Sequence, residues 1–282
     1  MVRELVSARL PGYEVTSVVR LGEGLDNVAY EVNGELIARF SKEPDPVRRA
    51  ARVVREARLL TAVAGFSPIP VPEPAFVAAE EGCLAYFKLP GQPLLEAPAI
   101  ERYAHGEAVA ATIGGLLAAI HPTPPDRLAG LVGVDELPLA QWLREAADLY
   151  PTVVDLVPVD HRPAIDAFLA AAPPDDDHPL VFSHNDLGIE HILTDPGTRA
   201  VTGVIDWGDA AIVDPAYDFG LLFRDLGPPA LVAALDSYPT ADDALAVRAI
   251  FYARCSFFED LGYGQDRYVD KSIAALPWLF PV

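Results

Sequence analysis

Positive charge and cysteine are the scarce ingredients of this chain of 282 residues. It holds 21 Lys and Arg against 41 Asp and Glu, a formal net charge of −20. A nonspecific DNA-backbone binder must offer cations to phosphates, so nucleic acid is not an expected partner. The same deficit argues against an anionic membrane surface. Cationic small molecules suit the field better. There are two cysteines, Cys83 and Cys255, too few and too distant for a disulfide framework or a cysteine-rich zinc site. Both are expected to be reduced and buried. No run reaches about 18 consecutive apolar residues, so no membrane-spanning helix is expected. Arg3, Glu4 and Arg9 interrupt the N-terminus before any apolar core of a secretion signal forms. A cytoplasmic protein is expected. A GK[ST] triplet is also missing, which removes the Walker phosphate loop.

What is present suffices for a sizeable core: 51% of residues are hydrophobic and 22% charged, a globular balance. The length suggests two lobes. Charge is unevenly shared. Residues 1–60 hold ten basic and nine acidic groups, and the remaining 222 hold eleven and 32. Alternating and β-branched residues predict strands at 13–19, 28–32 and 35–40, with Asn33-Gly34 as a tight hairpin turn. Pro46 and an apolar stripe of Val53, Val54, Ala57, Leu60 and Ala64 predict a helix over 46–64. Further strands are expected at 75–79 and 83–88. Beyond the Leu89-Pro90-Gly91 turn the character changes. Helices are expected at 101–120, 138–149, 160–172, 216–226, 229–236 and much of 240–261, with short strands at 180–183, 191–194 and 201–205. This is an α+β, bilobal pattern. A small β-rich lobe over 1–90, with a hinge near 84–91, precedes a larger helical lobe over 91–282.

Carboxylates crowd the stretch from 184 to 218. Asp186 follows the apolar run Leu180–Phe182, and Asp206 ends the β-branched run 201–205. Both then stand at strand ends, where side chains face a cleft. Phosphoryl transfer needs one carboxylate to orient the attacking hydroxyl and accept its proton. It needs another acid to hold Mg²⁺ against the phosphates, usually with an amide or imidazole beside it. Asp186 and Asp206 suit those roles. His191 is either that metal-side imidazole or a partner of Asp186 or the phosphate. His184 is expected to point inward and bond the backbone near Asp206. Asp214 precedes Pro215 and suits a helix cap.

The front lobe offers the groups that a nucleotide requires. Gly22 and Gly24 lie between two expected strands, where a hairpin can cover a triphosphate; a Rossmann turn would need a helix next. Arg39 stands in the following strand, aimed at the phosphates, with Lys42 as its rival. Glu56 on the next helix is placed to orient Arg39, as a Lys–Glu pair does in protein kinases. Backbone groups around Ala85–Lys88 are placed to read a nucleobase, with Tyr86 either a gate or core.

Three segments carry a family likeness. HNDLGIEHIL at 184–193, IDWGDAAIVDPAYDFG at 205–220 and GEGLDNVAYEV at 22–32 resemble the aminoglycoside phosphotransferase family, in order along nearly the whole chain. Within it, GDAAIVDPAYDF after IDW is most similar to the 2''-aminoglycoside branch. The resemblance implies a protein-kinase-like fold, ATP or GTP as donor, Mg²⁺ as cofactor and a hydroxyl acceptor. It places the catalytic aspartate on Asp186, the metal-binding aspartate on Asp206 and the phosphate cation on Arg39, where relatives often carry Lys. Glu56 matches the helix glutamate. His191 stands where the family usually has Asn, as it does in the 2''-aminoglycoside and macrolide branches. The expected activity is phosphate transfer to a cationic acceptor, an aminoglycoside first. A macrolide or another hydroxylated metabolite is the alternative, and a regulatory nucleotide-binding module without transfer is a third. The acceptor is expected against the acidic second lobe, with Asp209, Asp214, Asp218, Glu259 and Asp260 as contacts. A monomer is expected, with a dimer left open.

Overall fold

The computed structural model describes residues 1–24 and 26–282; Leu25, inside the expected glycine hairpin, lies outside the described residues. The first lobe is built on a five-stranded antiparallel sheet ordered β1-β2-β3-β5-β4. Its strands are β1 (Val18–Glu23), β2 (Asn27–Val32), β3 (Leu36–Ser41), β4 (Pro74–Ala78) and β5 (Cys83–Phe87). Side chains alternate across a sheet with a period of two, and that alternation places the site. Leu36, Ala38, Cys83 and Ala85 face an outer cluster with Val2 and Val6 of helix α1 (Val2–Arg9). Ile37, Leu84 and Tyr86 face the other way, onto helix α2 (Pro46–Ala64). Arg39, two residues after Ile37, therefore points toward α2 and the space below the sheet.

Two local devices shape this lobe. Asn33 (φ +54°) and Gly34 (φ +77°) make the tight turn between β2 and β3, both in the left-handed region that such a turn needs. The Asn33 carboxamide also replaces a strand partner: its oxygen accepts the Thr16 and Ser17 amides, and its nitrogen donates to the Glu14 carbonyl. Residues 13–17 are consequently extended without being a strand, and β1 begins later than the expected 13–19 and runs through Gly22. Helix α2 starts where Asp45 accepts the Arg48 amide at 2.8 Å, with Pro46 in its first turn. Its buried stripe is Val53, Ala57, Leu59, Leu60 and Val63. Val54 is exposed and Ala64 only partly covered, because the buried face is rotated away from Val54 toward Leu59 and Val63.

After Phe87 the chain leaves the sheet, and β6 (Gln92–Pro93) pairs with a strand of the second lobe. Helix α3 (Ala99–Ile120) follows. By length and composition it matches a membrane span, although Glu101, Arg102 and Glu107 interrupt its apolar run. Its residues Val109, Ile113, Leu116, Leu117 and Ile120 are buried in the main core. Then come β7 (Gly133–Val134), α4 (Leu139–Val153) and α5 (Arg162–Leu169), followed by β8 (Val181–Ser183), β9 (Ile192–Thr194), β10 (Val201–Val204) and β11 (Ala211–Val213). Helices α6 (Ala216–Leu226), α7 (Pro228–Asp236), α8 (Asp243–Gly262) and α9 (Asp266–Leu279) complete the lobe. Strand β9 lies between β10 and β6, and β11 lies between β7 and β8. These two small sheets hold the loops after β8 and after β10 side by side. The architecture is the bilobal α+β arrangement expected.

Candidate active site

A cleft of about 990 Å³ lies between the lobes. Gly22, Gly24, Arg39, Glu56 and Tyr86 line it from the first lobe, and Asp186, His191, Asp206, Asp209, Glu259 and Asp260 from the second. The two aspartates at the strand ends thus share one cavity. Asp206 follows β10 with φ +63°, and Asn185, just before Asp186, has the same left-handed φ of +63°. Such backbone is uncommon outside glycine and is tolerated best by Asn and Asp. Each loop thereby turns sharply enough to present its acid.

The Arg39 guanidinium is the centre of the upper wall. One nitrogen is 3.1 Å from Glu56 and another is 3.1 Å from Asp206. Burial opposes its charge, but Asp206, Tyr86 and Glu56 together hold it firmly protonated. The Asp206 carboxyl is lowered in turn: burial resists ionisation, and Arg39 and the nearby imidazoles overcome it. Lys42 is absent from the cleft wall. Its ammonium is taken up by Glu23 at 2.8 Å and the Gly24 carbonyl at 3.1 Å, so it braces the β1–β2 hairpin. Arg52, Arg55 and Lys88 line the cleft instead. Arg52 and Arg55 stand on α2 and Lys88 follows β5; helical spacing alone does not tell which charges of α2 meet the facing lobe. Arg52 is anchored on Asp26 at 2.7 Å.

On the lower wall, His191 donates from Nε2 to Asp186 at 3.2 Å. Burial disfavours the imidazolium, yet the hydrogen bond and charge of Asp186 push its pKa up to about 9. His191 thus stands beside Asp186 through Nε2, and its other ring nitrogen, Nδ1, is buried without a hydrogen-bond partner. His184 is fully buried and bonds the Ile205 carbonyl through Nε2 at 2.9 Å, next to Asp206, as anticipated.

The loop bearing Asp186 is held from below. Asp218 accepts the Asn185 amide at 3.0 Å and the Leu187 amide at 3.1 Å, and the Ser183 hydroxyl also donates to it. Ser183 bonds His121 at 3.0 Å, and His121 bonds the Tyr238 hydroxyl at 2.8 Å. Burial lowers the His121 pKa to about 3, so it serves this chain as a neutral ring. Asp218 has no exposed surface, and an acceptor contact there is corrected to support of the loop. Asp214 is likewise buried: it caps Ala216 at 2.9 Å and pairs with Arg248 at 2.9 Å. It lines a separate cavity of about 210 Å³ with Trp142, His178 and Tyr252, so its acceptor role is corrected too.

Asp209, Glu259 and Asp260 do line the cleft. The Asp209 carboxyl is raised by burial and by Asp186 and Asp206; that of Glu259 is raised by burial, against the pull of Arg224. Glu190, Tyr263, Tyr268 and Arg267 join this wall. Three of them stand on or beside α9, an element the sequence reading left blank. Among the described residues no three His, Cys, Asp or Glu side chains form a ready metal cluster.

A model of the phosphotransferase enzyme family, APH, matches residues 17–251. The chain belongs to this family. It is similar to the viomycin phosphotransferase of Streptomyces vinaceus, at 28% identity over 88% of this chain and 89% of that one. Among solved structures it is similar to the GDP and kanamycin complex of APH(2")-IIia, with a TM-score of 0.72, 23% identity and coverage of 97% and 96% of the two chains. It is also similar to the macrolide 2'-phosphotransferase MphH from Brachybacterium faecium, with a TM-score of 0.65, 22% identity and coverage of 98% and 97%. These likenesses establish the fold of the family for this member.

Proposed function

We propose that this member of the phosphotransferase enzyme family transfers the terminal phosphate of ATP or GTP to a hydroxyl of a small cationic acceptor, with an aminoglycoside-like polycation as the class. One observation carries the reading: Asp186 and Asp206 line the same cleft, with the Arg39 guanidinium on its upper wall. Asp186 orients the acceptor hydroxyl and takes its proton. His191, bonded to one carboxylate oxygen, holds Asp186 in that orientation. Arg39, oriented by Glu56, meets the phosphates with a guanidinium fork. Gly22 and Gly24 let the hairpin backbone approach them. Tyr86, within the base-reading segment 85–88, lines the cleft. Asp206 is the residue to hold Mg²⁺, which when bound screens the negative charge of the phosphates. Reaction of a bound hydroxyl needs positioning and charge stabilisation rather than a covalent enzyme intermediate.

The acceptor wall favours a cation. Asp209 and Glu259 ionise less readily than usual, and an arriving ammonium relieves that repulsion. A carboxylate-lined wall suits a polycation better than the more apolar surface of a macrolide. The family relatives point to both nucleotides, since one solved relative holds GDP with kanamycin and another holds ATP with streptomycin. The test is a screen with ATP and GTP separately, with Mg²⁺, against viomycin, kanamycin, gentamicin and a macrolide, read by mass spectrometry. Gain of one phosphoryl group on a cationic acceptor is expected. Failure to phosphorylate any acceptor, with no nucleotide hydrolysis, refutes the reading.

A further inference from the structure

The family match ends at residue 251, yet the chain beyond it sends a buried cation under the cleft. Lys271 of α9 has only 2% of its side chain exposed. Its ammonium lies 2.9 Å from Asp260, 3.1 Å from Asp225 and 3.3 Å from Glu190. The Tyr268 ring is 5.2 Å away. Arg224 is the second cation, with Nε 2.8 Å from Asp225 and 3.2 Å from Asp260. Four segments meet here: the loop after β8, α6, α8 and α9. Burial and Arg224 both disfavour the Lys271 charge, and the three carboxylates outweigh them. Burial likewise resists ionisation of Asp225, and Arg224 and Lys271 hold it ionised.

This cluster has an output at the loop that carries Asp186. Asp225 accepts the buried Ile189 amide at 3.2 Å. Glu190, the next residue, bonds Lys271, and His191 after it bonds Asp186. Lys271 therefore grips, directly or through Asp225, the two residues that lead into the His191–Asp186 contact. Apolar side chains fill buried volume with less desolvation than an ion cluster does. They offer no directional hold on a backbone amide and a carboxylate at once.

We propose that Lys271 is a positioning residue for phosphate transfer, fixing Ile189 and Glu190 of the Asp186 loop and Asp260 of the acceptor wall in one ion cluster. This rests on the phosphotransferase reading. Lys271 itself is buried and does not line the cleft.

The test is Lys271→Met in the full chain, read two ways. Hydrogen exchange at the Ile189 amide is expected to accelerate at least about tenfold, because its charged acceptor loses a partner. With ATP, Mg²⁺ and the cationic acceptor found in the screen, kcat is expected to fall by up to about 100-fold, the effect of a small displacement of a reacting group. The KM for ATP stays within about twofold, since the upper wall is untouched. Should Lys271→Met fail to fold, Lys271→Met with Glu190→Gln removes one charge of each sign and carries the same expectations. Wild-type exchange at Ile189 with wild-type kcat in the folded variant overturns the proposal. A wild-type protein that transfers phosphate to nothing refutes the phosphotransferase reading instead, and the exchange rate alone then decides whether Lys271 holds the loop.

Discussion

The His191–Asp186 pair makes the folded protein sensitive to pH in a defined window. In the native state the imidazole titrates at about 9 rather than the ordinary 6.5. A rise of that size corresponds to an order of 3 kcal/mol of preferential stabilisation of the charged ring. The contribution is complete below about pH 6.5, where the ring is charged in both folded and unfolded chains, and it is lost as pH rises through about 9. His191→Gln keeps a polar group of similar reach but cannot titrate. Urea unfolding of both proteins at pH 6 and pH 10, followed by tryptophan fluorescence, isolates the pair. All three tryptophans, Trp142, Trp207 and Trp278, lie in the second lobe with it. Other titrating groups cancel between the two proteins. The stability gap between wild type and variant is expected to shrink by about 3 kcal/mol from pH 6 to pH 10. An equal gap at both pH values refutes the reasoning, as does an imidazole resonance titrating near the ordinary value.

Arg39→Met leaves Glu56 and Asp206 without their shared cation; stability should fall by about 3 kcal/mol and nucleotide affinity by at least about tenfold, read by urea melts and calorimetry. Asp206→Asn should erase the gain in ATP affinity that Mg²⁺ gives the wild type, measured by calorimetry with the cation present and absent. Gly114 lies where α3 meets α7, and a Cβ there runs into the Ala234 carbonyl. Gly114→Ala should cost about 1–3 kcal/mol, seen as a lower melting temperature with an unaltered KM for ATP.

Much of this site was legible because its residues sit at strand ends inside distinctive strings. Asp186, Asp206, Arg39 and Glu56 all fall on the cleft wall, and the pattern of β-branched runs places each acid just past a strand. The alternation in Leu36–Ser41 even decides which face Arg39 takes. Legibility ends where partners are remote in sequence. Asp218 looks as available as Asp209, and only the fold reveals the loop amides that consume it and the Arg248 that pairs with Asp214. Strand β11 is three residues long, too short for a periodic signal, and exists because β7 and β8 flank it. Helix α9 follows Gly262 and Gly264 and contains Pro277, features that mark the end of a helical region rather than a new one. The clustering of Lys271 with Glu190, 81 positions away, leaves no local trace.

The central claim is that Asp186 serves the chemistry while the upper wall and Asp206 hold the nucleotide. Single-turnover transfer by Asp186→Asn, measured beside its calorimetric affinity for the Mg²⁺–nucleotide complex, separates the two. A transfer rate lower by about 10²–10⁴ with affinity close to wild type is the predicted result. Transfer at the wild-type rate contradicts the account.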